Sequence, residues 1–190
     1  MSNQLQELKS ICSKVFQDGI PDHQTSERLI HYIHGLNAVN LGLGERITNM
    51  ERSYGWDFED ILDNPHVGIK LLLIPKGKRI PLHDHPQMNV MLKVVWGSMH
   101  IKTYDWAREY PFSGLARPLI DGVVNGKSFP CVIGPYSNNL HTMEALEDCA
   151  FLDVCSPYYD EEAGRPCTYY KITQELSHTG GKLVHLEKSS

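Results

Sequence analysis

Apolar residues in the first third of the chain recur at helical spacing. Leu5, Leu8, Ile11, Cys12, Val15 and Phe16 share one face, and Asp18-Gly19-Ile20-Pro21 ends the pattern, which predicts a helix over residues 3–17. A second helix is predicted from a Thr25 or Ser26 cap, with Leu29, Ile30, Ile33 and Leu36 on one face and Gly42-Leu43-Gly44 beyond its end. From residue 67 the period changes. Short β-branched or aromatic runs at 67–74, 89–96, 98–104, 119–124, 129–133, 140–146, 150–154 and 168–172 read as strands. Turn signals separate them: Pro75-Lys76-Gly77, Gly97, Asn125-Gly126, Gly134-Pro135 and Glu147-Asp148.

Closely spaced strands with no helical pattern between them describe a sandwich or small barrel, not a doubly wound sheet. Asn125-Gly126, between Val123-Val124 and Phe129, predicts a tight hairpin or one with a small bulge. No internal repeat or low-complexity stretch is visible. The expectation is a single domain over 1–190, with a helical part over 1–66 packed outside a barrel over 67–190. A chain of 190 residues buries about 70% of its unfolded surface, so neither disulfides nor a structural metal are required.

Composition narrows the function classes. A chain 41% hydrophobic and 22% charged is neither disordered nor a membrane span. The net charge is -5 and the densest basic stretch is Lys76-Gly77-Lys78-Arg79, which argues against nucleic acid and anionic membranes as partners. A monomer is expected. The first residues lack the basic start and apolar stretch of a signal peptide, which points to the cytoplasm, with the nucleus as the other address. Five scattered cysteines without a C-x-x-C pair fit small core residues in a reducing compartment, not a disulfide framework or zinc knuckle.

Ten histidines raise the question of a metal. His31 and His34 lie three apart on the second predicted helix, with no third ligand nearby, and read as a solvated helix face. The densest signal is Gly77-Lys78-Arg79-Ile80-Pro81-Leu82-His83-Asp84-His85-Pro86. Histidines at i and i+2 on extended chain point the same way, so His83 and His85 can reach one ion at about 2.0 to 2.2 Å. Gly77, six residues before His83, and Gly97, twelve after His85, follow the first motif of the cupins, a jelly-roll family. The glutamate usual in that motif is replaced by Val90. Tyr136-Ser137-Asn138-Asn139-Leu140-His141 is similar to the second cupin motif, with Asn138 where a glycine is common. Three neutral histidines without a carboxylate leave a divalent ion its full charge and open positions for a thiolate and for O2. Fe(II), one per chain, is the metal that suits this chemistry, because zinc cannot exchange electrons with oxygen.

Four segments in order between about residues 67 and 172 carry a more specific resemblance. Ile80-Pro81-Leu82-His83-Asp84-His85-Pro86 is followed by Gly97-Ser98-Met99-His100-Ile101-Lys102-Thr103-Tyr104-Asp105-Trp106. Then come Leu152-Asp153-Val154-Cys155-Ser156-Pro157-Tyr158-Tyr159 and Cys167-Thr168-Tyr169-Tyr170-Lys171. Together they resemble the cysteamine dioxygenase and plant cysteine oxidase family. The resemblance implies an all-β, cupin-type double-stranded β-helix (a jelly-roll barrel). It implies an iron-dependent dioxygenase that turns a thiol and O2 into a sulfinic acid. The implied substrates are cysteamine or an N-terminal cysteine of a protein, the latter making the enzyme an oxygen sensor of the N-degron route. The rivals are a non-catalytic, metal-stabilised cupin binding module and a cupin enzyme of different chemistry.

Carried over onto this sequence, the iron ligands are His83, His85 and His141, with Asp153 and Tyr159 near the substrate. The residues agree about Asp153: a charge in the apolar run Ala150-Phe151-Leu152-Asp153-Val154-Cys155 needs a partner, and a substrate ammonium or an internal cation would serve. Tyr159 is expected either to donate to bound oxygen or to cap the barrel mouth. Cys167 and Tyr169 share a face and are a candidate Cys-Tyr crosslink. His100 reads as a hydrogen-bonded structural histidine, and His23, His66, His178 and His185 as surface residues. No arginine stands in a motif where it could meet a substrate carboxylate, which favours substrates lacking one.

Overall fold

The computed structural model describes residues 2–50, 57–107, 114–178 and 181–189. Ser2 caps α1 (Asn3–Val15), its hydroxyl accepting from the Leu5 amide at 3.2 Å. Asp22 caps α2 (His23–His34), accepting from the Thr25 amide at 2.8 Å and from the Thr25 hydroxyl at 3.0 Å. The second helix therefore starts before its predicted cap. A carboxylate at the positive end of the helix out-competes the hydroxyls of Thr25 and Ser26. A short α3 (Gly44–Met50) begins at the glycines that read as a terminator. No described helix is long and apolar enough to cross a membrane.

Among the described residues, eleven strands follow in two antiparallel sheets. The first sheet orders β1 (Asp57–Asp63), β2 (Gly68–Ile74), β9 (Cys149–Ser156), β4 (Asn89–Trp96) and β7 (Cys131–Ile133). The second orders β10 (Tyr170–His178), β11 (Gly181–Lys188), β6 (Leu115–Asn125), β5 (Ser98–Trp106), β8 (Leu140–Ala145) and β3 (Arg79–Asp84). The strands pass back and forth between the two sheets, which is the double-stranded β-helix of a cupin.

The first sheet is covered on both faces, and this explains its unbroken apolar runs. Ile69, Leu71 and Leu73 of β2 with Ala150, Leu152 and Val154 of β9 meet Leu5, Leu8, Cys12, Leu29 and Ile33 of the helices. The alternate residues, including Ile74, Leu92, Val94 and Phe151, face Met99, Ile101 and Met143 across the barrel. The helices are thus packed on the outside of the barrel, as expected.

Three features depart from the sequence reading. β1 lies in the part read as helical. Its run Asp57-Phe58-Glu59-Asp60-Ile61-Leu62-Asp63 buries only Ile61 and is acidic as an exposed edge strand should be, so neither period shows. The β10–β11 hairpin is mostly exposed and polar, and only its start carries a strand pattern. Asn125-Gly126 does form a turn, with the Ser128 amide bonded to Asn125 O at 3.0 Å. It is not a hairpin: β6 pairs with β5, and β7 with β4 in the other sheet. Buried Lys93 fixes this corner by donating to Gly126 O at 2.7 Å and Ser128 O at 2.9 Å.

Gly97 makes another crossing, between β4 and β5. Its φ is +74°, and an added Cβ would stand 2.3 Å from the Asp148 carbonyl oxygen. Gly97→Ala is expected to destabilise the fold by about 2–4 kcal/mol, read as a lowered urea midpoint, through left-handed strain and the clash. An unchanged midpoint would show that the crossing can relax.

Candidate metal centre

β3 and β8 pair so that His83 stands directly opposite His141. His85 follows just past the end of β3, on the same side as His83. The three rings converge: Nε2 of His141 is 3.1 Å from Nε2 of His83 and 3.2 Å from Nε2 of His85. All three ligand nitrogens lie within 4.8 Å of one another, so the three residues could hold one ion. His83 and His85 are nearly inaccessible and His141 wholly so. Burial pulls all three pKa values down, and for His85 and His141 the neighbouring imidazoles add to it. The rings are therefore neutral at pH 7, with lone pairs that cannot all satisfy one another. A cation between them would.

The opposite edges of two rings are held. Nδ1 of His83 meets Pro81 O at 2.9 Å. Nδ1 of His85 donates to the Tyr159 hydroxyl at 2.8 Å, and that hydroxyl donates to Asp84 O at 2.9 Å. Each of these bonds leaves Nε2 unprotonated and aimed at the centre. Nδ1 of His141 is buried without a hydrogen-bond partner. Tyr159 lines the cavity with its hydroxyl held between His85 Nδ1 and Asp84 O, a contact that favours the His85 tautomer with Nε2 free to accept. Tyr159→Phe is expected to weaken metal binding about 10–100-fold, measurable by competition with a chelator. Wild-type affinity in the variant would reduce the contact to packing.

Two supports escaped the sequence reading. Asp84, between the histidines, points the other way and accepts from Thr168 N and the Tyr170 hydroxyl, each at 2.9 Å, tying β3 to the segment that carries Tyr169. Asn139 donates to His85 O at 2.7 Å and Gly134 O at 3.1 Å. Its neighbour Asn138 has φ +56°, which accounts for an asparagine where a glycine is common. The period-2 pattern around His83 and the Asn138-Asn139 pair were the available signals.

The histidines floor a cavity of about 350 Å³ that also includes Leu72, Met143, Phe151, Asp153, Cys155, Tyr159, Cys167 and Tyr169. Asp153 is the half-buried exception in a strand otherwise wholly buried. Burial pushes its pKa up to about 7, offset in part by Lys70 and a hydrogen bond with Cys155. Its Oδ1 is out of solvent without a partner. Burial raises the pKa of the Cys167 thiol, and the hydroxyls of Tyr159 and Tyr169 offset part of that rise. Val90 is buried with Met88, Ile133 and Cys155, so the place of the usual cupin glutamate is apolar. Among the described residues, no carboxylate joins the three-histidine cluster. A wider cleft of about 500 Å³, lined by Asp105, Arg117, Tyr136 and Asn139 among others, holds none of these histidines.

The remaining histidines behave mostly as expected. His100 Nε2 pairs with Asp121 at 2.5 Å, and His23 and His66 are exposed. His185 is instead half-buried against the Thr173 hydroxyl at 2.8 Å. His31 is solvated, but the His34 ring stacks on Phe129 at 3.9 Å, so that helix face is only partly free. The side chain of His178 lies outside the described residues.

A cupin barrel with a three-histidine cluster that, among the described residues, no carboxylate joins, under a mostly apolar cavity wall that carries Asp153, is the class that fold and site define. The PCO_ADO family model matches residues 46–189, and the chain belongs to that family. It is 31% identical over 181 residues to plant cysteine oxidase 2 of Arabidopsis thaliana, an overlap of 87% of this chain and 65% of that protein. It is 33% identical over 138 residues to 2-aminoethanethiol dioxygenase of Mus musculus, covering 61% of this chain and 54% of that protein. The chain thus spans between about half and two thirds of the length of these relatives. Among solved structures it is similar to a cupin superfamily protein of Desulfitobacterium hafniense, with 10% identity, a TM-score of 0.44 and coverage of 56% of this chain and 82% of that one.

Proposed function

We propose that the chain is an Fe(II)-dependent thiol dioxygenase that adds both atoms of O2 to the sulfur of an aminothiol. The observation that carries this reading is the convergence of three buried imidazoles at a cavity that Asp153 also lines. The names of the relatives, cysteine oxidase and 2-aminoethanethiol dioxygenase, support it. The substrate is an N-terminal cysteine of a protein or peptide, or cysteamine. With a protein substrate, the reaction would make the enzyme an oxygen sensor feeding the N-degron route.

His83, His85 and His141 would hold iron, which would supply a dipositive charge and electron exchange with O2. The protein's own residues supply orientation. Asp153 takes the substrate ammonium, which holds the thiol over the histidines at near-attack distance. Tyr159 and Asn139 fix His85, while Leu72, Met143 and Phe151 keep the cavity dry. The stoichiometry is R–SH + O2 → R–SO2H, with all four electrons drawn from sulfur and no external reductant.

Cys167 and Tyr169 remain a candidate crosslink in this reading: an S–C bond forms as an S–H and a ring C–H are lost, and O2 takes the two electrons and two protons as H2O2. The main test is loading with Fe(II) without air, then exposure to O2 with cysteamine, cysteine or an N-terminal-cysteine peptide. A mass gain of two oxygen atoms on at least one of these is expected. No gain on any would overturn the proposal.

A further inference from the structure

The sequence offered no cation for a substrate carboxylate or carbonyl; the fold supplies one in Lys70. Strand register places Asp60 of β1 opposite Lys70 of β2, and Lys70 opposite Asp153 of β9. Lys70 alternates with the helix-facing Ile69 and Leu71 and lines the histidine cavity with Asp153. The result is a row of charges, negative, positive and negative, running from the mouth inward.

Lys70 offsets the burial of Asp153 only in part, because its own ion pair is made on the other side. Its Nζ is 3.0 Å from Asp60 Oδ1 and lies 5.4 Å and 5.6 Å from the ring centres of Phe58 and Tyr158. Asp153 Oδ1 meanwhile has no hydrogen-bond partner. Asp60, Phe58 and Tyr158 therefore hold the ammonium toward the mouth, and its ion pair is made with Asp60 on the outer side. Tyr158 can lie there because residue 68 is glycine; a Cβ would stand 2.2 Å from its ring. Asp60 takes one of the three N–H donors of Lys70, which leaves a donor for a ligand oxygen.

Residues opposite one another on adjacent strands have Cβ atoms about 4.5–5.5 Å apart. An anion and a cation rooted side by side on one cavity wall suit a ligand bearing an ammonium and a carbonyl-type oxygen on neighbouring atoms. We infer that Lys70 is a specificity-determining residue, donating to the carbonyl or carboxylate oxygen next to the substrate ammonium, so that cysteinyl substrates are favoured over cysteamine. The inference rests on the thiol dioxygenase reading and refines its substrate class. A half-exposed ion pair such as Lys70–Asp60 adds little to stability, so Lys70 can be replaced without loss of the fold.

The test measures kcat/KM of the iron-loaded full chain for an N-terminal-cysteine peptide, free cysteine and cysteamine, in wild type, Lys70→Met and Lys70→Arg. Lys70→Met is expected to lower the peptide-to-cysteamine or the cysteine-to-cysteamine ratio about ten- to a hundredfold, the worth of one charge-assisted hydrogen bond. Lys70→Arg should restore most of it. Any general effect of the lost charge on Asp153 cancels in these ratios. A fall with the peptide identifies an amide carbonyl as the partner, and a fall confined to free cysteine identifies a carboxylate. Ratios within twofold of wild type overturn the assignment of Lys70. Wild type inactive on all three substrates overturns the dioxygenase reading, and this inference with it.

Discussion

His141→Ala is expected to abolish iron binding and thiol-dependent oxygen uptake together. His141 is fully buried, stands opposite His83 and brings its Nε2 close to both other rings, so its loss leaves two nitrogens and an open side. Groups that act as a unit fail as a unit, and a fall in kcat/KM of at least about a thousandfold is expected. The fold should survive. The substitution opens a cavity, which costs roughly 1–3 kcal/mol, but it also removes a buried, unpaired Nδ1. Metal analysis, an oxygen electrode and a thermal melt on one sample separate these effects. A folded variant that keeps its iron and its uptake would remove His141 from the centre.

Asp153→Asn carries the second large effect, with opposite signs for activity and stability. Removing the partner of a buried substrate ammonium typically costs about 2–5 kcal/mol, so kcat/KM for aminothiols should fall at least about thirtyfold. Ammonium binding requires the ionised carboxylate, and burial holds Asp153 up at about 7. KM of wild type should therefore fall as pH rises from about 6 to about 8, and the Asn variant should lack this component. Stability without substrate runs the other way. A carboxyl raised from 3.8 in the unfolded chain to about 7 in the fold favours the native state fully below pH 3.8, and that support is lost as pH rises through about 7. Relative to the same protein at low pH, the loss amounts to roughly 4 kcal/mol above neutrality. The Asn variant, having no charge to bury, should melt higher than wild type at about pH 8 and show a smaller gap at about pH 5. A variant with unchanged kinetics and a lower melting point at both pH values would make Asp153 a structural residue.

Much of this was legible in the sequence because the barrel's chemistry is local. The i, i+2 spacing of His83 and His85 fixes their common face, and His141 announces itself at the start of a strand. The absent glutamate at Val90 is matched by an apolar pocket in the fold. The elements that escaped notice lack the burial that makes a pattern. β1 is an acidic edge strand, β10 and β11 are largely exposed, and Asn125-Gly126 turns a corner whose partners are set by distant strands.

The site shows the same division. Ligand spacing can be read along the chain, whereas the contacts that orient the ligands come from far away in sequence. Tyr159 reaches His85 across 74 positions, and Asn139 reaches its carbonyl across 54. Lys70 is hidden still more thoroughly. A lone lysine in an apolar run carries no motif, and only the pairing of β1, β2 and β9 sets it between two aspartates.

The most direct measurement uses isotopically labelled oxygen. Iron-loaded protein is mixed with an N-terminal-cysteine peptide under ¹⁸O2 in ordinary water, and the product is weighed. If three neutral histidines hold the iron that joins thiol to dioxygen, the peptide gains two ¹⁸O atoms on sulfur, and the gain disappears in the His141→Ala protein. Label from water in place of O2, or an equal gain in the variant, would contradict that account.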